Sequence, residues 1–341
     1  MKHIVLTSMP DGELAAKWNA FLAEAPFATH YVTPNYFTDP YVRGERFAVM
    51  AVADDGRVAA VVTGVFDTTK IVSGLFSRPQ MIFRNGVDRE AAVAALHDGV
   101  NQLSDLPHSI EICTWHETPE LTAHGLQMRP SNDETSVVMI DLSTGADAIF
   151  ANFSQTRRNE IRKAIKEDLI EIKEVETASE LAELYKISCD WNARKGNPAD
   201  TFGRMQTAAG QRENRRIFIA KTDGKVIAGS FYRFAPGGVV EYAANYSMPA
   251  YQKLRPNDLI GWRVIEWSCK SGFSHFSMGG SHLFLRRFGG EIITTYRYKY
   301  DQSRFYLHGL RASAREIGVE TYRRLPENVR AGMRKVLAKG R

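Results

Sequence analysis

IFIAKTDGKVIAGSFYRF, Ile217 to Phe234, is two β-rich runs joined at Thr222-Asp223-Gly224-Lys225. Asp-Gly between alternating apolar residues is a strong short-range hairpin signal. A second turn at Pro236-Gly237-Gly238 leads into VVEYAANY, Val239 to Tyr246, so the expectation is a three-strand meander. Pro256-Asn257 then opens a helix, with Asn257 as its N-cap and Ile260, Val264 and Trp267 along one apolar stripe. Gly272 ends that helix, and FSHFSMGGS, Phe273 to Ser281, is a strand closing on a Gly-Gly corner. Strand, strand, strand, helix, strand is an α/β arrangement whose last strands splay around a helix N-terminus, which makes a place for a ligand.

The same pattern occurs earlier. FAVMAVADDGRVAAVVTGVF, Phe47 to Phe66, is again a hairpin, over Asp54-Asp55-Gly56-Arg57. Superposing the two turn glycines places Val49, Met50, Val58 and Ala60 on Ile217, Phe218, Val226 and Ala228. At that offset the helix Asn257 to Ser271 falls on the helical pattern Arg89 to Leu103, and the strand Phe273 to Met278 on Asp105 to Ile110. Three elements of matching type at one offset argue for a duplicated unit. The expected organisation is a first copy over residues 1–145, a linker at Ser143 to Asn152, a second copy over 146–305 and a basic helical tail over 306–341. Between the linker and the hairpin, Phe153 to Leu169 and Ala178 to Ala193 read as amphipathic helices around a strand at Ile170 to Val175, and Arg194 to Glu213 as a polar connection.

Length and composition agree. A chain of 341 residues exceeds one ordinary core. Its 44% hydrophobic and 24% charged residues are those of a globular protein. Cys113, Cys189 and Cys269 are isolated, which fits a reducing cytoplasmic setting and neither a zinc cluster nor a disulfide framework. MKHIVLTSMPDGE contains no apolar run of signal-peptide length, and no later stretch reaches the ~20 apolar residues of a membrane span. Of the net charge of +5, residues 311–341 carry +6, so the rest stands at −1. The basicity is local to the tail, where it would suit RNA or the inner face of an anionic membrane.

The second copy, with the segments around it, resembles the GNAT acyltransferase fold. In tandem it is similar to the FemA/FemB/FemX group, aminoacyl-tRNA-dependent enzymes that attach amino acids to peptidoglycan precursors. The residues that carry the resemblance are Arg157-Arg158-Asn159-Glu160-Ile161-Arg162-Lys163-Ala164, Arg194-Lys195-Gly196, Leu254-Arg255-Pro256-Asn257 through Trp262 and Trp267, and Gly279 to Gly290. In the last of these, FLRRFGG is similar to the family's Phe-Lys-x-x-Phe-Gly-Gly segment, with Arg286 taken for its Lys. The resemblance implies tandem GNAT-like domains, each a mixed, mostly antiparallel sheet flanked by helices, with the first copy degenerate. It also implies an N-acyltransferase of cell-envelope biogenesis that forms an amide on an envelope precursor, an amino sugar or a small peptide. No resident cofactor is implied. The acyl donor is either aminoacyl-tRNA or an acyl-CoA such as acetyl-CoA. Gln252-Lys253-Leu254-Arg255-Pro256-Asn257 lacks the glycines of a pyrophosphate-cradling loop, and Pro256 removes a donor.

Attack of an amine on an activated carbonyl needs a base, an oxyanion site and a proton for the leaving group. The candidates are Glu241 as a base whose pKa burial would raise, with Tyr242 or Tyr246 as acid. Arg255, Asn257, Gly279, Gly280, Arg286 and Arg287 are candidates for the donor, and Arg158, Arg162 and Lys163 for an acceptor or phosphate. His275 and His282 have no partners at ligand spacing, so no metal is assigned. No P-loop, dinucleotide, HExxH or GxSxG motif occurs. The alternative class is a non-catalytic RNA-binding or membrane-surface adaptor using the basic tail.

Overall fold

The computed structural model describes residues 1–74, 78–104, 109–129 and 136–302. In order, these form β1 (Lys2–Leu6), α1 (Gly12–Glu24), β2 (Glu45–Val52), β3 (Val58–Phe66), β4 (Lys70–Ser73), β5 (Met81–Phe83), α2 (Arg89–Asn101), β6 (Ser109–Thr114), α3 (Glu120–Ala123) and β7 (Gln127–Arg129). There follow β8 (Ser136–Asp141), α4 (Ala146–Asn152), α5 (Gln155–Glu167), β9 (Glu171–Glu174), α6 (Ala178–Lys195) and α7 (Phe202–Gly210). The hairpin strands β10 (Arg215–Thr222) and β11 (Lys225–Phe234) lead to β12 (Val239–Ser247), α8 (Pro256–Lys270), β13 (His275–Ser277), α9 (Leu283–Arg286), β14 (Glu291–Thr294) and β15 (Tyr296–Asp301). The expected basic helical tail, 306–341, lies outside the described residues, as do 105–108, where the repeat places part of a strand.

Two sheets result. One has the order β1-β2-β3-β4-β6-β15-β7, with β5 beside β3 and β6; the other has β14-β8-β13-β12-β11-β10-β9. The boundary expected at residue 145 does not separate them. Strand β8, from before it, pairs with β13 and β14, and β15, from the far end, pairs with β6 and β7. Each half lends the other a strand. Hydrophobic alternation fixes which face of a strand is buried, not which sheet it joins.

The duplication is real but one residue out of register on its first strand. In both hairpins the bulge falls at the same place on the second strand, opposite Ala51/Val52 in β2 and opposite Ala220/Lys221 in β10. Ala60 and Ala228 therefore correspond as expected. Their partners are Ala51 and Ala220, so the first turn is one residue longer. The core confirms it: Val49 packs with the α2 side of its sheet as Phe218 packs with the α8 side of the other, whereas Ile217 lies on the opposite face. A one-residue slip exchanges faces.

Three local readings also change. The expected linker is largely helix, α4, with Ile149 buried. The polar stretch after residue 194 contains α7, started by the Thr201 side chain on the Arg204 N–H. Helix α8 begins at Pro256 and Asn257 is its second residue, not its N-cap. The proline ring fixes a helical φ and has no N–H to lose, so it suits the first helical position, and Arg255 before it takes a left-handed conformation, φ 58°. Helix α6 matches its reading, with a Thr177/Glu180 capping box at one end and Gly196 as a left-handed C-cap at the other.

Helix α2 covers one face of the first sheet, and α8 with α4 and α5 one face of the second. Between the halves lies a shared core of Trp18, Phe21, Met50, Val61, Trp115, Val137, Met139 and Val239. The second sheet's remaining face is closed by α6 and α7 through Leu181, Leu184 and Met205.

Candidate active site

Strands β12 and β13 run parallel only from Val239–Glu241 against His275–Ser277. Beyond Glu241 β12 diverges, and the wedge so formed faces the N-terminus of α8. Here β12 carries a bulge: Phe231 pairs with Ala244 and Tyr232 with Tyr242, so Ala243 has no partner in the β11 ladder. A bulged residue is left out of the ladder and turns the strand. On the far side of the wedge Gly279 sits so close that a Cβ there would meet the Tyr242 carbonyl oxygen at 2.6 Å, and its φ is +69°. Only glycine allows both. The Gly280 carbonyl accepts the Val138 N–H, tying this corner to β8.

The bulge also parts the two candidate tyrosines. Tyr242 packs toward α8, beside Tyr232, whereas Tyr246 lies on the other face against Trp191 and Phe231. Simple alternation would have put both on one side, so they are not interchangeable acids. Burial, with Tyr232 and Asp258 nearby, pushes the Tyr242 phenol well above its usual pKa and keeps it protonated.

Glu241 points away from Tyr242, toward the first half of the chain. It is 4% exposed, and its Oε1 accepts from Arg233 Nη2 at 2.8 Å and Arg78 Nε at 2.9 Å. Burial does oppose its charge, as expected, but the Arg233 and Arg78 guanidiniums outweigh it and the pKa is lowered, not raised. A carboxylate held by two arginines is an anchor between the halves, and the expectation of a raised-pKa base is corrected. Arg233 lies over the Tyr31 ring, and beside it Asp39 Oδ2 accepts from His30 Nε2 and Arg215 Nη2, each at 2.7 Å. None of these partners was read from the sequence.

Inside the wedge the sequence reading missed the central pair. Arg157, 1% exposed on α5, is hydrogen-bonded to the Asp258 carboxylate in the first turn of α8. Its guanidinium donates to the Phe284 carbonyl at 3.1 Å and lies over the Phe284 and Phe288 rings at 4.4 and 4.1 Å. Burial pushes Asp258 up and Arg157 down, each partly offset by the other's charge. The signal was present. Arg157 stands four residues before Ile161 on the buried stripe of α5, and a charge on such a stripe needs a buried partner.

The other candidates do not converge on this wedge. Arg158 donates to the Ala151 and Phe153 carbonyls at the end of α4. Arg162 lies over Phe150, and Lys163 is exposed beside Glu167. Arg255 pairs with Glu160 at 3.0 Å, and Asn257 Nδ2 donates to Ser247 Oγ at 3.3 Å with its Oδ1 unpartnered. Arg286 donates to the Ser281 carbonyl, and it and Arg287 are exposed. Counted from Phe284, the second place of the FLRRFGG motif is Leu285, buried in the core, so Arg286 stands one residue beyond the family's Lys. The closing glycines are a packing requirement: a Cβ on Gly290 would meet the Met139 carbonyl oxygen at 2.5 Å. Among the described residues no cluster of metal-ligating side chains occurs and no helix is long and apolar enough to cross a membrane.

This geometry has known counterparts. A family model described as an acetyltransferase (GNAT) domain matches residues 151–300. The crystal structure of FemX covers 90% of this chain and 99% of its own at 13% identity, with a TM-score of 0.73. L-PGS from Bacillus licheniformis covers 92% and 98% at 14% identity, TM-score 0.57. A tandem GNAT protein from the clavulanic acid biosynthesis pathway covers 89% and 99% at 10% identity, TM-score 0.50. No curated protein matches in sequence. Residues 151–300 match an acetyltransferase (GNAT) domain model, and the two sheets together build a FemX-like tandem GNAT fold.

Proposed function

We propose that the protein is an N-acyltransferase that moves an aminoacyl group from its tRNA ester to a primary amine of an envelope precursor, amino sugar or small peptide. The observation that carries this reading is the wedge itself: inside the matched acetyltransferase domain, β12 and β13 part beside a bulge that leaves Ala243 without a partner in the β11 register, and we assign its N–H a role there. That N–H is the oxyanion donor. The amine nitrogen attacks the ester carbon, its proton passes to the Asp258 carboxylate, and the C–O bond breaks as Tyr242 protonates the departing oxygen. Proton return from Asp258 to Tyr242 resets the site, and Arg157 holds Asp258 in place throughout.

Electrostatics favours an ester donor over a thioester of coenzyme A. A pyrophosphate is held at a helix N-terminus by free N–H groups and the absence of competing negative charge. Here the first turn of α8 carries Pro256 and the buried Asp258, and the Arg157 guanidinium is already committed to that carboxylate. The test is amide formation by the full chain, followed by mass spectrometry, with charged tRNA or acetyl-CoA as donor and lysine-containing peptides and glucosamine as acceptors. No product from charged tRNA with any acceptor, or efficient product from acetyl-CoA, contradicts the reading.

A further inference from the structure

The first half of the chain contains its own version of the wedge. Strands β5 and β6 pair in parallel at Met81 and Thr114 and then diverge around the N-terminus of α2, as β12 and β13 do around α8. In the first half the diverging strands enclose a cavity of about 230 Å³.

Its lining has two characters. Phe27, Met81, Phe83 and Val87 make an apolar wall. Phe27 takes φ 60° and stacks on His275 of the second sheet at 4.6 Å, so the cavity abuts the other half. Hydrogen-bond donors stand against this wall: Trp115 packs on Phe27 with ring centroids 5.8 Å apart, and the Arg89 guanidinium lies over the Phe83 ring at 4.4 Å. Trp115 lines the cavity and is 4% exposed, and its indole N–H has no acceptor. Arg84 and Arg89 also line it; Arg84 is only 3.9 Å from Glu24, and Arg89 reaches Glu120 at 3.0 Å and Thr118 Oγ1 at 3.0 Å. At the start of the 13-residue helix α2, Asp88 takes the Ala91 N–H with its side chain and the Ala92 N–H with its carbonyl. The N–H groups of Arg89 and Glu90 belong to the orphan set of a helix start.

A buried donor without an acceptor is costly, and Arg89, bonded to Glu120, Glu117 and Thr118 through Nε and Nη2, keeps its Nη1 group as a second, charged donor. We propose that this cavity binds a small oxyanion carried on an apolar body, a carboxylate or phosphate monoester whose oxygens meet Trp115 Nε1 and Arg89 while its body lies against Phe27 and Phe83. The site is independent of the acyl transfer proposed for the second half, and its test does not involve turnover.

The experiment titrates the full chain with benzoate, phenyl phosphate, inorganic phosphate and the neutral benzyl alcohol, following the ¹⁵N-labelled indole signals, with that of Trp115 assigned by its loss in Trp115→Phe. Benzoate or phenyl phosphate should shift the Trp115 signal saturably, with benzyl alcohol at least about tenfold weaker and Arg89→Gln weakening the anion about tenfold, as expected for one charge-assisted hydrogen bond. Benzoate against phenyl phosphate distinguishes the two oxyanions, and saturation by inorganic phosphate alone would show that the apolar wall is not part of the site. An unmoved Trp115 signal at millimolar anion, or equal binding of anion and alcohol, overturns the proposal. So does unchanged affinity in a folded Arg89→Gln protein.

Discussion

Arg157 and Asp258, 101 residues apart in the chain, form a buried ion pair that joins α5 to the first turn of α8. The pair lies at the N-terminus of α8, and Arg157 ties the segment around Phe284 and Phe288 to that helix. Its energetics are asymmetric. Two charges taken from water into the core gain little net stability, yet removing one leaves the other stranded.

Arg157→Met should therefore cost about 3–5 kcal/mol, measured by urea unfolding, as expected for breaking a buried ion pair. The double variant Arg157→Met/Asp258→Leu should recover most of that loss. If the single variant unfolds at the same urea concentration as the parent, the pair is not structural.

The cluster between the halves makes stability fall in mild acid. His30 is fully buried, and desolvation, with the Arg215 charge and against the Asp39 hydrogen bond, lowers its pKa from the ordinary 6.5 to about 4. The unfolded chain takes up a proton that the folded protein refuses, so this stability is complete above about pH 6.5 and is lost as pH falls toward about 4, on the order of 3 kcal/mol in all. Glu241, whose folded pKa is also depressed, adds a loss below its unfolded value near 4. Thermal midpoints read from pH 8 to 4 should show the slope, and His30→Asn should flatten its upper part. A pH-independent midpoint from 6.5 to 4.5 would refute the assignment.

The exchanged strands predict that the second half does not fold alone. A fragment of residues 146–305 lacks β8, leaving β13 and β14 without their common neighbour and β15 without its sheet. It should be insoluble or lack cooperative unfolding. A soluble fragment with a sharp transition would show that the shared core is dispensable.

The two tyrosines should separate in kinetics. Tyr242→Phe should lower kcat about 10²-fold or more, the usual cost of losing a positioned proton donor, whereas Tyr246→Phe, on the opposite face with Trp191, should leave kcat within a few-fold. Equal effects from both would place the chemistry elsewhere.

Much of this fold was legible because its signals are local. Asp223-Gly224 fixes a hairpin and Pro256 a helix start, and the recurrence of hairpin, helix and strand around Gly56 exposes the duplication. What failed depends on partners far along the chain. Which sheet receives β8 or β15 is decided by pairing, not by alternation. The bulge at Ala243 reverses the face of Tyr246 and has no single-residue signature. Glu241 was read as a base because burial alone raises a carboxylate, and Arg233, its cross-strand partner, with Arg78, 163 residues away, lowers it again. Arg157 was passed over inside a helix so basic that its charge looked like solvated surface.

The most direct measurement of the central claim is single-turnover amide formation by the full chain with an aminoacyl-tRNA carrying a radiolabelled amino acid, beside the same assay with labelled acetyl-CoA, in the parent protein and in Tyr242→Phe. The wedge geometry predicts labelled amide from the aminoacyl ester, little from acetyl-CoA, and a loss of about 10²-fold or more in Tyr242→Phe without loss of fold. Efficient transfer from acetyl-CoA, or a Tyr242→Phe protein as fast as the parent, would contradict it.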